Sequence, residues 1–190
     1  MTCKIGILIS GRGTNMEAIV NHIAAENADV QVMFVASDKS GAAGLVTAQK
    51  KGIPTAVLPY KEGRLAGEAG IDKLWEETGI DVLVLAGFMR LITEGFVKKH
   101  EGRILNIHPA LLPKFPGAHG IDDFWKSGEG VSGVTVHVVD EIMDHGPILM
   151  QESVVREADD TIETFETKIH AVEHRIYWLA LKKFIADNNL

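Results

Sequence analysis

Short continuous apolar runs punctuate the chain at Ile5–Ile9, Val32–Ala36, Thr55–Leu58, Val82–Ala86 and Ile104–Ile107. Between them, near Met16–Glu26, Leu45–Lys51, Ile71–Thr78 and Thr93–His100, the pattern is helical. A run such as Val82-Leu83-Val84-Leu85-Ala86 offers no polar face to water, so it suits a strand covered on both sides. Parallel strands joined by crossover helices are covered in that way, and the alternation therefore predicts βαβ units. After Val131 the grammar changes. Val134-Thr135-Val136-His137-Val138-Val139 alternates only in part, Ile148–Val155 is a second extended run, and together they predict a hairpin-like pair. Ile162, Phe165, Ile169, Val172, Ile176 and Leu179 then mark the stripe of a long amphipathic helix, with Asp160 and Glu163 placed as its capping box. The whole pattern predicts an α/β, Rossmann-like fold. Its open, mostly parallel sheet carries helices on both faces, a C-terminal β-hairpin-like extension and a long last helix.

Bulk composition narrows the class. At 190 residues, 46% hydrophobic and 24% charged, the chain is long enough for one domain with a buried sheet, and no repeat or Pro/Gly-rich linker divides it. A formal charge of −7 argues against nucleic-acid or anionic-membrane partners, which a basic surface usually holds. An anionic small molecule therefore needs local capture. The single Cys3 can form no internal disulfide, and no Cys/His spacing resembles a metal framework. The apolar stretch after Lys4 breaks at Ser10-Gly11, too short to span a membrane and without a leader cleavage pattern. These features predict a cytoplasmic protein without structural metal.

Two segments carry candidate chemistry. Ser10-Gly11-Arg12-Gly13-Thr14-Asn15 joins the first strand to the first helix, where glycines, free helix-start N–H groups and the Thr14 and Asn15 side chains can receive a phosphate. The bland alternative is a tight turn with Thr14 or Asn15 as N-cap. Met16 stands where a dinucleotide fingerprint needs a third small residue, and the Lys-Ser/Thr of a P-loop is missing, so a monophosphate fits better. The second segment follows a buried run: Asn106 and His108-Pro109, with Asp144 in the later turn Met143-Asp144-His145-Gly146-Pro147. An amide, an imidazole and a carboxylate can orient a carbonyl, supply a proton and hold the donor, which suits acyl or formyl transfer. His108 alone reads equally as a satisfied strand-end histidine, Asp144 as a turn residue, and His137 as a packed strand histidine with a supporting role at most. Ligands in open α/β sheets gather beyond the carboxyl ends of strands, so Leu85-Ala86-Gly87-Phe88-Met89-Arg90 points to the same crevice. His145, beside Asp144, is expected to compete for its carboxylate.

The segments Ser10–Asn15, Leu85–Arg90, Asn106–Pro109 with Leu111-Leu112-Pro113, and Asp144–Pro147 resemble the phosphoribosylglycinamide formyltransferase family, over about Lys4 to Tyr177. The His-Pro-x-Leu-Leu-Pro block is similar to the wider formyltetrahydrofolate-using superfamily, and the first loop with Glu173-His174 narrows the match. The resemblance implies formyl transfer from 10-formyltetrahydrofolate, a co-substrate, to the amine of glycinamide ribonucleotide, without metal. By position, His108 would be the general acid, Asn106 would orient the formyl oxygen, and Asp144 would hold His108 and favour its charged form. Gly13, Thr14 and Asn15 would receive the substrate phosphate and Glu173 the ribose or glycinamide portion. Met89, Arg90, Leu91 and Ile92, with Asn106 and Arg64 nearby, would contact the folate; Arg12 is a further candidate for anion capture. The family places phosphate and nucleotide binding in about residues 1–100 and catalysis with folate contact in about 101–190, in a monomer or homodimer. A deformylase would deliver water instead, and usually carries an extra N-terminal domain. Methionyl-tRNA formyltransferases carry an extra C-terminal one. A Rossmann-like nucleotide module without chemistry would need only the first loop.

Overall fold

The computed structural model describes residues 2–190. Seven strands form one sheet: β1 (Cys3–Ile9), β2 (Val30–Ser37), β3 (Thr55–Val57), β4 (Val82–Leu85), β5 (Ile104–His108), β6 (Val131–Val138) and β7 (Ile148–Val155). Their order is β3-β2-β1-β4-β5-β6-β7, parallel from β3 through β5 and antiparallel at β5–β6 and β6–β7. The predicted hairpin exists, and it continues the main sheet because β6 pairs along β5. Five α-helices connect the strands, α1 (Thr14–Glu26), α2 (Ala43–Lys50), α3 (Arg64–Thr78), α4 (Glu94–Lys99) and α5 (Gly120–Ser127), and α6 (Ile162–Asn188) follows β7.

Strand periodicity explains the two cores. Ile5, Ile7 and Ile9 of β1, Val82 and Val84 of β4, and Leu105 and Ile107 of β5 pack with Phe165, Ile169, Ile176 and Tyr177 of α6. The alternate positions Leu8, Leu83, Leu85 and Ile104 face the opposite way, onto Ile71 and Trp75 of α3 and Phe96 of α4. Helices thus cover both faces.

Two local departures have clear causes. Helix α3 starts at Arg64, a full two turns before the periodic stretch, because Gly67 and Gly70 replace the apolar residues a packed face would show. A Cβ at Gly67 would lie 2.4 Å from the Tyr60 ring, and one at Gly70 2.9 Å from Pro59 Cδ, so the glycines let the preceding single turn of 3₁₀ helix (Tyr60–Glu62) pack directly on the backbone. The capping box of α6 is Thr161 with Thr164, one residue later than Asp160 and Glu163. Asp160 lies just outside, accepting from the Glu157 amide at 2.8 Å and pairing with Lys168 at 2.7 Å, so its carboxylate is already committed.

Candidate active site

The chain leaves β1 for β2 and β3 on one side and returns as β4 on the other, so the sheet's switch point lies between β1 and β4. A crevice forms at such points because the two loops diverge. Here the Ser10 amide donates to the Gly87 carbonyl at 3.1 Å, fastening the first loop to the turn after β4. Gly13 and Gly87 have φ +74° and +76°, the left-handed region a side chain resists. Gly13 occupies the N-cap position of α1 with no side-chain cap, so neither Thr14 nor Asn15 caps the helix and its first amides lack an intrahelical acceptor.

That loop opens into a cleft of about 290 Å³ lined by Ser10–Asn15, Ala86, Gly87, Met89, Ile107, Pro109, Ile121, His170 and Glu173. The last two come from α6, so both halves of the sequence wall one cleft. Glu173 is only 5% exposed and accepts from Asn15 Nδ2 at 3.1 Å and His170 Nδ1 at 2.9 Å. Asn15 Oδ1 is buried and has no hydrogen-bond partner in the structure. His170 is held above the ordinary histidine range, first by its hydrogen bond to Glu173, against the opposing effects of burial and the Arg12 charge. Sequence reading missed His170. One turn beyond Glu173, the buried Tyr177 hydroxyl lies 3.0 Å from the Leu85 carbonyl and 3.1 Å from the Leu105 carbonyl, bridging β4 and β5 where they separate.

On the other sheet face, β5 and β6 bring the polar residues together. Asn106 is opposite His137 in the ladder and His108 opposite Thr135. The β6–β7 connection returns Asp144, with φ +54°, beneath them. Its Oδ2 lies 3.4 Å from His108 Nδ1 and accepts from the Gly117 amide at 2.7 Å; its Oδ1 lies 3.5 Å from Asn106 Nδ2 and 3.7 Å from His137 Nε2. Burial pushes the Asp144 carboxyl up, but the His137 and Gly117 hydrogen bonds and the two imidazole charges outweigh it and hold it below the usual range. Asn106, His108, His137 and Asp144 therefore form one cluster.

Two details differ from expectation. His108 faces Asp144 but is 4% exposed, and its Nε2 donates to the Phe115 carbonyl at 2.7 Å. It does not open into the cleft, because the connection after Pro109 folds over it; Phe115 is held at φ +52°, strained for a bulky residue. Both ring nitrogens face acceptors, an arrangement the doubly protonated ring satisfies. Asn106 Nδ2 lies 3.2 Å from His137 Nε2 and 3.5 Å from Asp144 Oδ1, so the amide nitrogen is turned into the cluster, while His137 Nδ1 donates to the Val138 carbonyl at 3.0 Å. His145 does not take the place expected of it. It is exposed and pairs with Asp140 at 2.8 Å, so it does not compete for Asp144.

Of the remaining predicted contacts, Met89 lines the cleft. Met89 is 67% exposed, Leu91 is exposed, and Ile92 packs on the core between α3, α4 and the sheet. Arg90 Nε donates to Asp38 Oδ2 at 2.7 Å and its guanidinium lies 5.6 Å from the Tyr60 ring centre. Arg64 is exposed at the start of α3, close enough to Tyr60 to influence its hydroxyl. Among the described residues, no group of three or more His, Cys, Asp or Glu side chains could hold a metal ion, and no helix is long and apolar enough to cross a membrane.

A switch-point crevice at an uncapped helix start, with a buried amide, imidazole and carboxylate cluster at the end of the neighbouring strand, fits an α/β enzyme of group transfer. The chain belongs to the formyl transferase family, which it matches over residues 3–181. It is 37% identical to phosphoribosylglycinamide formyltransferase of Bacillus subtilis, covering 98% of this chain and 96% of that protein. It is 41% identical to the trifunctional purine biosynthetic protein adenosine-3 of Gallus gallus over 94% of this chain, but spans only 18% of that longer relative. The crystal structure of phosphoribosylglycinamide formyltransferase from Bacillus halodurans superposes with a TM-score of 0.92 at 43% identity, covering 96% of this chain and 95% of that one.

Proposed function

We propose that the chain transfers the formyl group of 10-formyltetrahydrofolate to the amine of N1-(5-phosphoribosyl)glycinamide. The products are formylglycinamide ribonucleotide and tetrahydrofolate, and the step belongs to de novo purine (IMP) biosynthesis in the cytoplasm. The observation that carries this reading is the meeting of two devices at the end of β5. Ile107 and Pro109 line the cleft of the uncapped α1 start, while Asn106 and His108 between and before them join Asp144.

In this reading the substrate phosphate sits on the amides of Gly13, Thr14 and Asn15, with Arg12 beside them. Glu173, held by Asn15 Nδ2, takes ribose hydroxyls or the glycinamide N–H groups. Met89, Arg90, Leu91, Ile92 and Arg64 receive the folate, which enters from the rim. The single domain works as one unit, since residues before and after 100 wall the same cleft. The amine nitrogen bonds to the formyl carbon, and charge develops on the formyl oxygen beside Asn106 and His108. The Asn106 amide turns to present Nδ2, and the Phe115 carbonyl yields Nε2 of His108. The bond from the formyl carbon to folate N10 then breaks, and the proton lost by the amine returns to N10 through His108. Asp144 and His137 hold that imidazole and amide in register. Proton transfer of this kind contributes roughly 10²–10⁴-fold, and positioning of the two substrates contributes more.

The test mixes purified protein with 10-formyltetrahydrofolate, with and without glycinamide ribonucleotide, and weighs the products by mass spectrometry. Formylated nucleotide only when both are present is expected. Formate released without the amine would mean a hydrolase, and no turnover of either kind refutes the proposal.

A further inference from the structure

In dinucleotide-binding sheets an acidic residue after the second strand takes the ribose hydroxyls. This chain has such a residue, Asp38, directly after β2, and both of its oxygens are already committed. Oδ1 accepts from Ser10 Oγ at 2.6 Å and Oδ2 from Arg90 Nε at 2.7 Å. Ser10 Oγ in turn accepts from the Met89 amide at 2.8 Å, while the Ser10 amide holds the Gly87 carbonyl at 3.1 Å. A closed circuit therefore runs from Asp38 through Ser10 to Met89 and back through Arg90. Asp38 is 4% exposed, so the carboxylate sits where water competes little. The far side of the same strip is fastened too: buried Glu68 accepts from the Thr93 amide at 2.7 Å and its hydroxyl at 2.6 Å.

Geometry fixes what this does to Arg90. Its Nε is spent on Asp38 and its guanidinium is set against the Tyr60 ring, while its two terminal nitrogens have no protein acceptor among the described residues. A guanidinium held by Nε still offers a donor edge to an anion.

We propose that Asp38 is a positioning residue that sets the Arg90 guanidinium and the Met89 backbone for the anionic, glutamate-bearing end of the formyl donor, and that it is not a ribose ligand. The inference rests on the proposed role of Arg90 in donor contact. Asp38→Asn keeps the size and an acceptor for Ser10 but removes the charge that orients Nε.

The experiment compares wild type, Asp38→Asn, Arg90→Ala and the double variant by steady-state kinetics in both substrates, with thermal unfolding to check folding. The Arg90 Nε–H resonance is followed by NMR. Loss of one charge-assisted hydrogen bond predicts a KM for 10-formyltetrahydrofolate about tenfold higher in Asp38→Asn. The expected kcat is within about threefold, the KM for the amine substrate is unchanged, and the double variant is no worse than Arg90→Ala alone. The Nε–H signal, protected in wild type, should exchange rapidly in Asp38→Asn. An Arg90→Ala effect on donor KM without any Asp38→Asn effect, or additive single effects, overturns the proposal while leaving the Arg90 contact intact. Rapid Nε–H exchange already in wild type also overturns it. If the Nε–H signal behaves as expected but neither variant moves donor KM, the donor-contact reading of Arg90 falls and takes the proposal with it.

Discussion

Asp144→Asn isolates one charge. The amide keeps the side-chain volume, and its oxygen can still accept from the Gly117 N–H, now 2.7 Å from Oδ2, so the loop stays fastened. What disappears is the negative charge 3.4 Å from His108 Nδ1, in a pair whose side chains are 5% and 8% exposed. Unit charges at that separation attract by about 5 kcal/mol at an effective dielectric near 20. If two thirds of that is realised when His108 carries its proton, the barrier rises by about 3 kcal/mol, or roughly 10²–10³-fold in kcat. The assay is turnover of glycinamide ribonucleotide and 10-formyltetrahydrofolate at saturation, together with His108→Ala and the double variant. Substrate KM values should move by no more than about threefold, because no substrate-holding group is touched. The double variant should match His108→Ala, because the two side chains act as one device. Asp144→Asn within about fivefold of wild type, or a double variant worse than either single one, would refute the reasoning.

Four further outcomes follow from the geometry. His145→Thr leaves the pH–rate profile unchanged, since His145 pairs with Asp140 and not Asp144; a shifted profile would revive competition for Asp144. His170→Ala weakens binding of the amine substrate, measured by calorimetry across pH 6 to 8. The raised folded pKa of His170 comes first from Glu173, so its charge is present below about 6.5 and is lost as pH rises through the folded value, and the variant should flatten that dependence. The Asp72 carboxyl is pushed up by burial but held below its usual range by Lys99 and His100, so its contribution to stability is full above about pH 4 and fades as pH falls through its folded pKa. The urea-midpoint gap between wild type and Asp72→Asn should therefore narrow as the pH is lowered below about 4. Gly13→Ala forces a side chain to φ +74°, with its Cβ 3.0 Å from Gly44 Cα. It should cost roughly 1–2 kcal/mol in a denaturant titration and weaken phosphate capture.

The sheet was readable because its strands are apolar on both sides: a run such as Val82 to Ala86 has one physical use in a chain this size. Strand alternation also places Asn106 and His108 on one face, since every second residue of a strand faces the same way. Helix α5 was missed although Ile121, Phe124 and Trp125 stand at helical spacing, because Gly120–Ser127 is only eight residues long and offers a single such repeat. His170 carried a usable signal: it lies three residues before Glu173, on the same face of α6, so a functional Glu173 implicates it. Asp38 carried another, standing after β2 where related sheets keep an acid. The cover over His108 carried none. Phe115 reaches the imidazole through its backbone carbonyl, and a carbonyl has no residue identity to read.

Tyr177 and Glu173 are four residues apart on one uninterrupted helix, the first gripping the strand ends at Leu85 and Leu105, the second facing the cleft. A helix shortens or stretches very little, so under the proposed function the gap between the cleft wall at Glu173 and the strand ends held by Tyr177 is fixed by a single ruler. Swapping substrates of different length cannot be absorbed by sliding one wall past the other. An acceptor amine carried on a longer or shorter arm than glycine should dock by its phosphate and still sit out of reach.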